Sequence, residues 1–190
     1  MAAFPYRQLI GSLIYLMVAT RPYLAFYLSR LSKFINSPGR AHWEAAYKVL
    51  GYLQQTTDVG LLYTRKGPLQ VQGVCHAAFA CPIDDRRSQG GYVFLMGGVA
   101  ISWKSYTIST VARSTLESEY VVASDEGAKA IFLRNFLYEL RFPQRGATPI
   151  FTDSLVALAI INNPCNGART KHIHIHYHYV RQHVAAGRLD

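Results

Sequence analysis

The sequence predicts an α/β fold, a mixed sheet with flanking helices preceded by a small helical extension. Two changes of hydrophobic period and one glycine pair point to it. Apolar residues recur every three or four positions through the first 55 or so residues, alternate or run continuously in short stretches from Gly60, and return to helical spacing after Ser114. Gly97 and Gly98 separate two of the short stretches by the two residues that a tight hairpin uses.

The elements follow in order. LIGSLIYLMVAT, Leu9 to Thr20, is helical in pattern, interrupted by Gly11 and Ser12, and shorter than the ~20 residues that span a bilayer. It lacks the basic start and small-residue cleavage site of a secretory signal, so a buried helix is expected. Pro22 suits the first turn of a second helix, and the turn SPGR at Ser37 to Arg40 separates that helix from a third. The third, about Ala41 to Gln54, carries Trp43, Tyr47, Leu50 and Leu53 on what should be one apolar face. GLLYTRKG and LQVQGVCHAAFA have strand length and pattern, and GGYVFLMGG with VAISWKS reads as the hairpin.

STLESEYVVASDEGAKAIFLRNFLYEL opens with Ser114 and, three residues on, Glu117, the pattern of a capped helix start. That helix should turn Leu116, Tyr120, Ala123, Ile131 and Leu137 inward and break at Gly127. PIFTDSLVALAII reads as a short buried strand running into a helix at Asp153 or Ser154. The last segment, about His172 to Ala186, is a helix or, by its alternation, a strand.

Composition narrows the class. Charged residues make up 16% of the chain and hydrophobic ones half of it, which excludes a disordered protein. Twenty Lys and Arg against 11 Asp and Glu leave a formal charge of +9, a balance suited to a polyanionic partner. Cys75, Cys81 and Cys165 are odd in number and form no CxxC pair, so neither a disulfide framework nor a zinc ribbon is indicated. A reducing compartment, cytoplasmic or nuclear, and no membrane association are expected.

Sheets of this order gather residues from strand ends and neighbouring helices in one cleft. His76, Glu119, Asp153 and His174 are the candidates so placed. Each also has a plain structural reading: Glu119 is one of several acids on its helix, with Glu117, Asp125 and Glu126, and Asp153 before a helix reads equally as an N-cap. KHIHIHYHYV, from Lys171, sets His172, His174, His176 and His178 at every second position, as surface histidines or as part of a site.

Several separate segments carry a resemblance. YRQLIGSLIYLMVATRP, GRAHWEAAYKVLGYLQQTTDVGLLYTR, DDRRSQGGYVFLMGGVAISWKS, STVARSTLESEYVVAS and RTKHIHIHYHYVR resemble, in order and spacing, the carboxy-terminal part of the Pol polyprotein of Copia-type LTR retrotransposons. The resemblance implies the tail of a reverse transcriptase over residues 1–65 and an RNase H-like domain over residues 66–190. No polymerase aspartate motif is present, so DNA synthesis by this chain is not expected. In that family four carboxylates hold two divalent ions, usually Mg²⁺, and the RNA strand of an RNA–DNA hybrid is cut.

Transferred by position, the family's acids fall on His76, Glu119, Asp153 and His174, so two of the four are imidazoles. His172 and His178 match family histidines. Mg²⁺ prefers oxygen ligands, so its binding should be weak or absent and hybrid cleavage impaired. Two alternatives stand beside this: a His/carboxylate site for Mn²⁺ or Zn²⁺, and a co-opted protein that binds nucleic acid without cutting it. Cys75, directed by alternation to the face opposite His76, would not join such a site.

Nucleic-acid contacts are expected from Arg86, Arg87, Ser109, Arg113, Ser114 and Lys171, with Lys104, Thr110 and Arg169 nearby. Ser109, Arg113 and Ser114 precede a helix N-terminus, which favours phosphate. Tyr92, Trp103 and Tyr106 read as core residues first and as stacking surfaces second. The N-terminal helices could also mediate self-association.

Overall fold

The computed structural model describes residues 5–64, 69–78, 87–108, 115–155, 158, 161 and 174–190. They fall into two units, Met1–Tyr63 and Thr64–Asp190.

In the first unit the 3.6-residue period produces α1 (Tyr6–Thr20), α2 (Ala25–Leu31) and α3 (Arg40–Gln55). Pro22 opens a 3₁₀ turn, Pro22–Leu24, that leads into α2. Tyr6, Ile10 and Leu13 of α1 pack with Leu24, Leu28 and Ala46, and the Tyr6 hydroxyl donates to Leu31 O at 2.8 Å. Only this stripe of α1 is buried. Tyr15 and Val18 are 75% and 63% exposed, so the helix is half-buried and not buried throughout, because its neighbours within the unit cover one side.

The apolar face of α3 is also rotated from expectation. Ala46 is buried with Trp43, Val49 and Leu53 against it, while Tyr47 and Leu50 are exposed. Ser37 to Gly39 form the expected break, and the Gly39 N–H donates to His42 Nδ1 at 2.8 Å, a cap in which the histidine satisfies a helix-end donor.

The second unit holds a four-stranded mixed sheet in the order β3-β2-β1-β4, with β1 (Gln72–Ala78), β2 (Gln89–Met96), β3 (Val99–Thr107) and β4 (Ile150–Thr152). The expected α/β class is observed. β1 pairs antiparallel with β2, and β2 with β3, through a turn in which Gly97 and Gly98 have φ of 63° and 79°. Such positive values match the twist of a two-residue hairpin. β4 returns parallel to β1. The part of GLLYTRKG that is described, Gly60 to Thr64, is not strand.

α4 (Thr115–Glu139) lies across β1 and β2, and α5 (His174–Ala185) packs on α4. Tyr120, Ala123, Ile131 and Leu137 are buried as expected; the Leu116 side chain lies outside the described residues. Gly127 does not break α4. A Cβ there would sit 3.3 Å from both Leu189 Cδ1 and Val180 Cγ2, so the missing side chain lets the helix approach α5 and the chain end. One core cluster joins Val71, Phe94, Ala130, Ile131, Leu133, Leu137, Val180 and Leu189, and another joins Cys75, Ala77, Ile108, Val122 and Ala123.

The final segment is helical from His174. Among the described residues no helix is long and apolar enough to cross a membrane.

Candidate functional site

Register brings the site together. Cys75↔Thr152 is the last pair between β1 and β4, so the next residue on each strand, His76 and Asp153, meets the other where β4 stops. β1 alternates in burial: Gly73, Cys75 and Ala77 face inward, Val74 and His76 outward. Thr152 Oγ1 accepts the Ser154 N–H at 3.3 Å, and the Leu158 N–H reaches Ser154 O at 3.1 Å, so Ser154 stands at the start of the following helical turn. Asp153 is therefore not the N-cap, and its carboxylate is available to the mouth between the strands.

His76 Nδ1 lies 3.2 Å from Asp153 Oδ1 and 3.1 Å from Oδ2. From α4, Glu119 reaches the same point, with Oε1 3.8 Å from His76 Nδ1 and Oε2 accepting the Ala77 N–H at 3.3 Å. Glu119 is almost wholly buried, whereas the side chains of His76 and Asp153 are about two-thirds exposed. Burial raises the Glu119 carboxyl above the ordinary range; His76 opposes this, Asp153 reinforces it, and the Ala77 N–H opposes it.

One ligand atom from each of His76, Glu119 and Asp153 lies within 4.8 Å of the others, the one such cluster among the described residues. Three of the four candidates thus converge. The fourth, His174, is the first residue of α5, and its side chain lies outside the described residues. The donor set does not fit a pair of magnesium ions: it offers two carboxylates and an imidazole nitrogen, where Mg²⁺ demands oxygen in near-octahedral array.

The remaining candidates divide. Arg87 is exposed just before β2. Arg86, Ser109, Thr110, Arg113, Ser114, Arg169 and Lys171 lie outside the described residues. Lys104 is exposed, with Nζ 4.3 Å from the centre of the Tyr106 ring. Tyr106 packs on the inner cluster and its hydroxyl donates to Asp125, and Tyr92 packs edge-on to Phe94, so both belong to the core. Trp103 is half-buried, opposite Val93.

Sequence reasoning passed over Glu126. It is fully buried, its carboxyl oxygens have no partner beyond the weak donor of the Cys75 thiol, and its carboxyl occupies the space a side chain at residue 73 would need. Burial pushes it up to about 8, partly offset by the Cys75 thiol. The signal was its spacing, seven residues or two turns from Glu119 on the stripe that also holds Val122, Ala123 and Ala130.

No protein-family model matches the chain, and no solved structure matches it. It is 41% identical over 184 residues to the retrovirus-related Pol polyprotein from transposon TNT 1-94 of Nicotiana tabacum, an overlap of 97% of this chain and 14% of that protein. It is 34% identical over the same length to the corresponding polyprotein from transposon RE2 of Arabidopsis thaliana, covering 13% of it. The chain therefore spans about one seventh or less of these polyproteins. A shorter relative, secreted RxLR effector protein 161 of Plasmopara viticola, is 41% identical over 129 residues, 68% of this chain and 91% of that protein.

Proposed function

We propose that this chain, similar to retrovirus-related Pol polyproteins of transposons, is the Copia-type carboxy-terminal part of one, a reverse-transcriptase tail followed by an RNase H-like domain whose hybrid-cleaving activity is impaired. One observation carries the reading. At the mouth of β1 and β4 an imidazole, His76, faces the two carboxylates of Glu119 and Asp153, where the ancestral chemistry needs a further anionic oxygen.

The consequence is electrostatic. A third carboxylate would attract a hard cation that a neutral imidazole does not, and a protonated imidazole would repel it. In place of a vacant anionic cradle, His76 Nδ1 lies at hydrogen-bond distance from Asp153. His174 repeats the loss at a second position.

Cleavage of a labelled RNA–DNA hybrid in Mg²⁺ tests the reading. The natural chain should be silent, and the double variant His76→Asp, His174→Asp should cut at least about a thousandfold faster, the equivalent of about 4 kcal/mol of barrier. Equal cutting by both chains would sink it.

A second reading, binding without cleavage, is favoured by the net charge of +9 and by exposed Arg87, just before β2, and Lys104 on β3. The partner in either case is an RNA–DNA hybrid or another nucleic acid.

A further inference from the structure

We infer that His76, Glu119 and Asp153 form a site for a single zinc-class ion. The inference rests on reading the β1 and β4 mouth as the functional site, and it replaces the ancestral metal pair with a different metal chemistry.

Ligand type comes first. Imidazole nitrogen with carboxylate oxygen is a donor set for Zn²⁺ and its first-row neighbours, which bind nitrogen far better than Mg²⁺ does. Spacing comes second. Ligands at about 2.0–2.1 Å from a tetrahedral ion stand roughly 3.3–3.5 Å apart. The His76 to Asp153 separation is 3.1 Å, the His76 to Glu119 separation is 3.8 Å, and all three ligand atoms lie within 4.8 Å of one another, near enough for small side-chain adjustments to bring them onto one ion.

Preorganisation comes third. Glu119 is buried and held by the Ala77 N–H, which fixes one oxygen and leaves Oε1 toward His76. His76 and Asp153 are pinned at their backbones by the last β1–β4 pair while their side chains remain open to solvent. An ion could thus enter from the exposed side onto a fixed buried carboxylate. Three protein ligands leave one tetrahedral position open, as in catalytic zinc sites and unlike closed structural ones.

The competing sink for metal is the chain's own His172 to His178 run, so the test removes it. The full chain with His172, His174, His176 and His178 all changed to Asn is titrated with Co²⁺, whose visible absorption reports nitrogen and oxygen ligation, and then with Zn²⁺ to displace it. One equivalent of Co²⁺ should bind, displaced by Zn²⁺ and not by a large excess of Mg²⁺. Adding His76→Ala should weaken Co²⁺ binding by about a hundredfold or more and abolish the bands.

His76 is exposed, so its replacement leaves the core intact, and circular dichroism of each variant confirms that the fold persists. Adding His76→Asp in place of the alanine should remove the preference for Co²⁺ over Mg²⁺. Absence of Co²⁺ binding in the four-Asn chain, or binding that survives His76→Ala, overturns the inference. Hybrid cleavage by the double-aspartate variant reports separately on the ancestral reading, so the two can fail independently.

Discussion

A carboxyl group shut away from water with only a weak thiol donor beside it keeps its proton, and Glu126 is such a group. Its folded pKa is about 8 against an ordinary 4.5, so the folded chain holds one more proton than the unfolded chain between those values. Stability from this group is fully present below pH 4.5 and is lost as pH rises through about 8. Urea unfolding should show the chain weakening across that window by a few kcal/mol at most. Glu126→Gln should flatten the dependence, and an unchanged pH profile in that variant would reject the account. The Cys75 thiol beside it is pushed up by burial and by Glu126, so it stays protonated and unreactive at neutral pH.

The contrast between Glu119 and Glu126 shows what one helix can do with two acids on the same stripe. Glu119 ends at the open mouth and finds His76 and a backbone N–H; Glu126 ends under the sheet against Gly73. Seven residues apart, both lie on the buried stripe of α4, but which one reaches a strand end depends on where β4 stops. At Gly73 a methyl group would collide with the Glu126 carboxyl and approach Phe94 Cε1 to 2.9 Å. Gly73→Ala should therefore cost about 1–3 kcal/mol by chemical denaturation.

At the scale of elements, α4 and α5 depend on a glycine that the sequence presented as a breaker. Gly127 costs helix propensity, about 1 kcal/mol relative to alanine, yet α4 runs unbroken through it because the contact with Val180 and Leu189 compensates. Gly127→Val should lower the urea midpoint by an amount equivalent to about 1–3 kcal/mol, while Ala128→Val at the exposed neighbouring position should change it by well under half of that. A higher midpoint for Gly127→Val, the direction helix propensity alone predicts, would show that propensity and not packing governs this turn. The histidine-rich segment gives the opposite lesson. Its two-residue alternation left helix and strand both open; from His174 the backbone is helical, and packing of Val180 against the α4 core accompanies that choice.

For the whole molecule, each unit has a hydrophobic core of its own. Residues 64–190 expressed alone should retain a single cooperative unfolding transition, since Val71, Phe94, Ala130 and Leu189 all lie within that segment. A noncooperative melt of that piece would refute the division. The net charge of +9 belongs to the same scale. If the chain binds hybrids through about four phosphate contacts, fluorescence anisotropy should show affinity falling roughly a hundredfold between 50 and 200 mM salt. Salt-insensitive binding would exclude a phosphate-led mode.

The order of helices and strands, the Gly97–Gly98 hairpin and most of the buried positions of α4 were determined by the sequence itself, because local period and turn chemistry act over a few residues. His76, Glu119 and Asp153 were named from the order of elements and then from resemblance to a family, not from composition or spacing. Their convergence, the burial of Glu126, the continuity of α4 through Gly127 and the outward turn of Tyr47 were decided only by tertiary structure. The physical reason is distance along the chain: His76 and Asp153 are 77 residues apart, and only the parallel pairing of β1 with β4 sets their side chains against each other.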